Sequence, residues 1–255
     1  MQTTIDGIVL SGRVSGQDRV LTILTAEQGL LTAFANRAGA MRSRLAASTE
    51  VLCYSRFVIF SHRGRNVVNS ADSNRIFFGL RQDWDKLCLA SYFAQLAAEL
   101  CSHGEEASGA LRLLLNTLHY LEKGTRDAFL LKAVFELRLL TLTGFMPDLV
   151  GCGDCGAFES GEMRFFPLQG ELACAECLAK QPRPEGIKVS PGVLAAMRHI
   201  LYVPPEKLFS FALGEDSLRS LANISEDYLL AQVEKSFSAL EIYGGNAANN
   251  IMFNT

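Results

Sequence analysis

Val51-Leu-Cys-Tyr-Ser-Arg-Phe-Val-Ile-Phe60, Ser61-His-Arg-Gly-Arg-Asn66 and Val67-Val-Asn-Ser-Ala71 read in order as strand, turn and strand. The first run is β-branched or aromatic almost throughout, the second is polar around a glycine, and the third is short and branched. Working back toward the N-terminus, Ile5–Val14, Val20–Thr25 and Leu30–Ala35 are of the same kind, set apart by glycine or polar turns. That makes five short strands, with a longer break at Arg37–Thr49 between the third and fourth. A small closed barrel is expected. The five-stranded OB-fold suits the long third connection, and a small SH3-like barrel is the competing architecture.

Downstream, the period changes to that of a helix. Leu89, Phe93, Leu96 and Leu100 recur at helical spacing, as do Leu111, Leu114, Leu115, Leu118 and Leu121. A third segment, Asp127–Thr143, carries Leu130, Val134, Leu137 and Thr141 and stops at Gly144 with Pro147 beyond. Ser190-Pro191 places an N-cap before a first-turn proline, leading into Val193–Leu201. A last helix is expected from about Ser225, through Tyr228, Leu229, Val233 and Phe237 to Leu240, with a frayed polar tail from Gly244 to Thr255. The fold class is therefore multidomain α+β. A barrel domain spans 1–80 and a mostly helical domain spans 81–255, with an irregular, glycine-rich insert at 150–180.

Cys152-Gly-Asp-Cys155 and Cys174-Ala-Glu-Cys177 punctuate that insert, with 18 residues between the pairs. Two cysteines flanking two residues on a tight knuckle can face one ion, and two knuckles complete a tetrahedron of thiolates. Cys152, Cys155, Cys174 and Cys177 are thus expected to hold one structural zinc. Four thiolates leave no open position for water or substrate. Met163–Phe166 and Gly170–Ala173 read as a small hairpin between the knuckles, as in a zinc ribbon. A redox dithiol is the alternative for such pairs, but no thioredoxin-like βαβ context surrounds them.

The 255 residues are 49% hydrophobic and 20% charged, an ordinary globular balance. No apolar run reaches the ~18–20 residues of a membrane span. No basic stretch with an apolar segment opens the chain, so a cytoplasmic protein is expected. The net charge of −3 hides an asymmetry. Residues 1–80 carry nine arginines, no lysine and five acids, a balance of +4, against −7 for the remainder. A basic third on an acidic remainder points to a local polyanion contact, although nine arginines can also be a solvated surface.

Several stretches together resemble the RecO family along nearly the whole chain. They are Gly7-Ile-Val-Leu10 with Arg13, Asp18-Arg19-Val-Leu-Thr-Ile-Leu-Thr25 with Gly29, and Arg37, Gly39 and Arg42-Ser43-Arg44. Phe135-Glu-Leu-Arg138, Gly144-Phe-Met-Pro147 and Cys152-Gly-Asp-Cys155-Gly continue the resemblance. Gly16 departs from the glutamate usual two residues before the aspartate that matches Asp18. The resemblance implies an N-terminal OB-fold, a helical domain and a zinc knuckle. It also implies a nucleoid-associated protein with no catalytic residues and no small-molecule substrate. Such a protein binds single-stranded DNA, anneals complementary strands and, with RecR, helps RecA displace SSB, whose acidic C-terminal tail it binds.

An OB-fold takes nucleic acid across its second and third strands, between the loops after strands one and four. Arg13 and Arg19 bracket the first of those loops, Arg63 and Arg65 lie in the second, and Arg37, Arg42 and Arg44 follow strand three. All seven are expected DNA contacts, with Arg42 and Arg44 foremost. Arg126, Lys132 and Arg138 are candidates for a basic rim around the SSB tail. Phe34, Tyr54, Phe57 and Phe60 lie on strands, where the barrel interior competes for them, and His62 sits beside the basic turn. His62, His103, His119 and His199 stand outside any zinc-deaminase pattern, and no Walker loop, nucleophile elbow or carboxylate pair is recognisable. The remaining alternative is a zinc-containing scaffold of a repair complex that does not touch DNA.

Overall fold

β1 (Gln2–Ser15) is long enough to serve two neighbours, and this closes the barrel. Its first half pairs antiparallel with β4 (Cys53–His62), its second half with β2 (Asp18–Thr25). A register shift between Val9 and Ser11 lets the strand bend between them. Gly7 lies where the two partners meet: a Cβ there would sit 2.5 Å from Ile23 Cγ2 and 2.8 Å from the Leu24 carbonyl. β2 pairs with β3 (Gly29–Ala35), β4 with β5 (Arg65–Ile76), and a parallel bridge from Phe34 to Val67 completes the ring. The order β1-β2-β3-β5-β4 is that of the OB-fold, which settles the choice against an SH3-like barrel.

These features come from a computed structural model that describes residues 1–184 and 186–240. Alternation fills the barrel: Leu21 and Ile23 from β2, Ala33 and Ala35 from β3, Phe57 and Ile59 from β4 point inward. The connection from β3 to β4 is a chain of turns that packs Ala38, Leu45 and Val51 against this core.

Three longer helices follow as the periodicity predicts: α1 (Trp84–Leu100), α2 (Ser108–Lys123) and α3 (Ala128–Leu142). Asp83 caps α1, accepting the Lys86 N–H, and Asp127 caps α3. α1 and α2 belong with the barrel. The link between them holds the β2–β3 turn through Leu30 N–H to Ser102 O (2.9 Å), Gly104 N–H to Gln28 O and Ala107 N–H to Ala26 O. The chain accordingly forms two compact units. Among the described residues, one is Met1–Gly124 with residues 237–240, and the other is Thr125–Ser236. Residue 80 marks the change from strand to helix, while the compact units divide at 124.

The second unit contains α3, a four-stranded sheet and three further helices. The sheet is β6 (Asp148–Cys152), β8 (Glu171–Cys174), β7 (Met163–Phe166) and β9 (Ile187–Val189), in that order. β7 and β8 are the expected hairpin, and β9 adds an edge strand to it. α4 (Ala175–Lys180) carries the last cysteine, and α5 (Pro191–Tyr202) has the expected Ser190 cap. The last helix differs from its expected span. α6 runs Glu215–Val233, opening on Glu215 and Asp216 and ending at Glu234 in the left-handed region (φ 52°). Ser225 is buried inside it, so Ser225-Glu-Asp is helix interior, not a start. The tail expected from Gly244 to Thr255 lies outside the described residues.

Candidate nucleic-acid interface and metal site

Strand pairing gathers three connections at one end of the barrel. Ser15 pairs with Asp18 across the β1–β2 turn, Arg19 with Ala35 at the end of β3, and Phe34 with Val67 at the start of β5. The β4–β5 turn, closed by His62 and Arg65, is therefore at the same end. The Arg37 N–H reaches Asp18 Oδ1 (2.7 Å) and the Gly39 N–H reaches Gln17 O (2.9 Å), tying the chain after β3 to the first turn.

The nine arginines of the barrel sort into two groups. Arg19 is half-buried, donating to Ala46 O and Thr49 Oγ1 (both 3.0 Å) and pairing with Glu50 at 2.6 Å. It staples the β3–β4 connection and, unlike the other expected DNA contacts, already has an acidic partner among the described residues. Arg56 pairs with Asp6, and Arg75 with Glu122 and His119. The Arg56 guanidinium holds the Asp6 carboxyl below the usual carboxylate range. The other six are Arg13, Arg37, Arg42, Arg44, Arg63 and Arg65. All are exposed, and none has an acidic ion-pair partner among the described residues. Arg13, Arg63 and Arg65 border the gathered turns, and Arg37, Arg42 and Arg44 follow within the chain leaving β3.

Arg37 (φ 54°) and Arg63 (φ 49°) hold the left-handed backbone conformation that costs a side-chain-bearing residue about 1 kcal/mol or more. One outward row crosses the strands near this end. Arg13 pairs with Val20, Val20 with Phe34, Phe34 with Val67, and Val67 with Phe60. Sequence reasoning left the aromatics of this row unresolved, because the inward parity of β3 and β4 was not known. Phe57 is fully buried and Tyr54 half-buried, whereas Phe60 is 49% exposed.

Of Arg126, Lys132 and Arg138, the candidates for a basic rim around an acidic tail, Lys132 is buried and Arg138 half-buried. Arg126 is exposed just before α3. Lys132 is 3% exposed, paired with Glu136 (2.9 Å) and Glu226 (2.8 Å) and donating to Ala222 O. Arg138 donates to the carbonyls of Ile200 (3.1 Å) and Leu201 (2.6 Å), satisfying the open C-terminal end of α5. Burial lowers its pKa from the usual guanidinium value. Both cations serve packing inside their unit.

The four cysteines do converge. The Sγ atoms of Cys152, Cys155, Cys174 and Cys177 all lie within 4.8 Å of one another, with Cys155 and Cys174 at 3.7 Å. A tetrahedral site with metal–sulfur bonds of about 2.3 Å sets sulfurs roughly 3.8 Å apart, so the cluster fits a metal ion. Cys152 ends β6, Cys174 ends β8, and α4 presents Cys177. Gly151 is held by close approach, since a Cβ would meet the Gly156 carbonyl at 2.8 Å. Burial opposes the charge on Cys152, but the N–H groups of Cys174, Cys155 and Asp154 outweigh it and bring its thiol down to about 6. A lowered thiol pKa favours the thiolate form that binds a metal ion. Arg183 pairs with Glu171 and lies 3.5 Å from Asp154, with its guanidinium 4.4 Å above the Phe166 ring, bracing the first knuckle. No helix among the described residues is long and apolar enough to cross a membrane.

Residues 1–77 match the family model described as Recombination protein O N terminal, and residues 81–241 that described as Recombination protein O C terminal. The DNA repair protein RecO of Acetivibrio thermocellus is 32% identical over 236 residues, 92% of this chain and 93% of that protein. That of Rubrobacter xylanophilus is 34% identical over 215 residues, 84% and 86% of the two chains. That of Alkaliphilus metalliredigens is 28% identical over 239 residues, 93% and 96%.

Proposed function

The chain belongs to the RecO family of DNA repair proteins, and from that premise we propose that it binds single-stranded DNA through the arginine-rich end of its barrel. It anneals complementary strands and, with RecR, helps RecA displace SSB in the cytoplasm, without chemistry of its own. The carrying observation is the sorting of the arginines: three are tied to acids, and the six that are not border or follow turns gathered at one end. Unpaired guanidinium groups suit phosphates, which give affinity without sequence choice and make it depend steeply on salt. Zinc is the ion this reading places on the cysteines. It would cross-link two knuckles of the sheet, and with four thiolates it is structural. RecR and the SSB tail enter from the family alone, and the buried Lys132 and half-buried Arg138 are poorly placed to meet the tail.

Fluorescence anisotropy with a labelled, unstructured 30-nucleotide strand tests the reading at two salt concentrations. Arg42→Ala/Arg44→Ala is expected to bind about tenfold or more weakly. Its log K against log salt should be shallower by about 1.4, two phosphates at roughly 0.7 each on a single strand. A wild-type protein that binds no strand at low salt overturns the DNA role, and the scaffold reading then leads.

Arg63→Gly separates binding from folding. Glycine takes the left-handed backbone without steric cost, so its stability should stay within about 1 kcal/mol of wild type while its affinity for the strand drops severalfold. A variant that melts like wild type and binds like wild type removes Arg63 from the interface.

A further inference from the structure

We propose, resting on the reading that the barrel binds single-stranded DNA, that Arg65 and Phe34 form its base-stacking step. A nucleobase stacks on the outer face of the Arg65 guanidinium, which Phe34 backs. Ala33 and Ala35 are fully buried, so alternation turns Phe34 outward on β3, one of the two strands that an OB-fold presents to nucleic acid. The Arg65 guanidinium lies 4.1 Å from the Phe34 ring centroid, within cation–π range. Arg65 is exposed, so a guanidinium lying over the ring has its solvent side open to a second planar group. Bases splayed from a single strand stack on aromatic rings and on arginine planes alike.

The surroundings match a strand running across the barrel. Arg13 stands two strands from Phe34 in the same row, placed for a phosphate. On the other side, Phe60 lies two strands on, about 10 Å at the usual strand spacing. Phe60 carries His62 nearly parallel to it, with rings 6.4 Å apart and 18° between planes. A lone exposed aromatic is ordinary on any surface. Two in one row, each with a planar cationic or imidazole group laid alongside, form a surface for flat ligands. Stacking of this kind adds affinity without choosing a sequence.

Two variants that keep the charge test it. Arg65→Lys retains the cation and loses the plane, and Phe34→Leu retains an apolar side chain and loses the backing ring. Each is titrated against a labelled oligothymidylate and against an abasic strand of the same length, which has the same phosphates and no bases. Both variants are expected to bind oligothymidylate roughly tenfold more weakly than wild type with an unchanged salt slope. On the abasic strand, wild type and variants should bind alike. Arg65 is exposed, so Arg65→Lys reports even if Phe34→Leu perturbs the barrel. Wild-type binding of oligothymidylate by Arg65→Lys, or an equal loss on both strands, overturns the stacking step and leaves the DNA-binding reading intact. Failure of wild type to bind either strand overturns both.

Discussion

Cys174→Ser is expected to dissolve the four-stranded sheet of the second unit while the barrel stays folded, with a loss of at least about 3–5 kcal/mol in that unit. Structural zinc sites in small domains contribute more than this, because the bound metal is what holds the ligands together. Here α3, α5 and α6 share an apolar core of their own, so part of the unit should survive. Cys174 is the most committed ligand. It is buried, it ends β8, its N–H reaches Cys152 Sγ at 3.3 Å, and it opens α4. Besides the cysteines, the sheet is held by Arg198 of α5, which donates to the carbonyls of Leu149, Val150 and Phe158, and by the buried side chains of Leu149, Phe165 and Leu172. Its strands are three to five residues long, too short to stand alone. Its anchors on α6 are the Tyr228 ring against Phe165 (5.4 Å) and Gln232 Nε2 on Pro167 O (2.9 Å). Hydrogen exchange read by mass spectrometry separates the two units directly. Amides of β6 to β9 should lose protection in the variant and in chelated wild type, and those of β1 to β5 should not. Metal analysis should find one zinc per wild-type chain. If Cys174→Ser keeps the sheet protected and melts like wild type, the cysteines are not a structural metal site.

What could be read from the chain alone follows the range of the interactions involved. The cysteine knuckles are local: two residues between ligands fix a turn, and the spacing carries the site wherever the chain goes. The barrel strands are nearly as local, because alternation along Val51–Phe60 or Val20–Thr25 is imposed by one buried face. Failures came where a distant partner decides. Arg19 and Arg13 look equivalent beside the first turn, and it is a partner 31 residues on, Glu50, that pairs with Arg19 and not with Arg13. β9 has three residues, too few to show a period, and exists because β7 offers an edge. Ser225-Glu-Asp imitates a helix start. In the fold, the Ser225 hydroxyl bonds back to Ala222 O within α6 and across to Glu136. For Lys132 the burial is legible in the sequence. α3 is buried on nearly every side, and a helix apolar all round has no solvated face for a lysine. The glutamate four residues later was the sign of its partner.

That lysine sets up the second large effect. Glu136→Leu is expected to cost about 3–5 kcal/mol, because it strips one of two carboxylates from an ammonium that water does not reach. Lys132 sits between Glu136 on its own helix and Glu226 on α6, and Ser225 donates to the far oxygen of Glu136 at 2.5 Å. Burial pulls the Lys132 pKa down, but the two carboxylates together outweigh it and hold the value above that of an ordinary lysine. A raised lysine pKa contributes stability that is fully present below the unfolded value of about 10.4 and is lost as pH climbs through the folded one. Wild type should therefore keep this contribution unchanged from neutral pH to about 10 and lose it only in strong alkali. The double variant Lys132→Met/Glu136→Leu removes the buried charge along with its partner, and it should recover to within about 2 kcal/mol of wild type with a weaker alkaline fall. Urea unfolding followed by helical circular dichroism, at pH 7.5 and above pH 10.5, reads all three proteins. A loss under about 1 kcal/mol in Glu136→Leu would mean that water reaches Lys132. The network is a costly way to join two helices that also bury apolar faces and set the Arg219 guanidinium over the Phe129 ring. It does what leucines cannot, since an ammonium with two carboxylates and a hydroxyl accepts one register of α3 against α6, where apolar faces alone can slide by a turn.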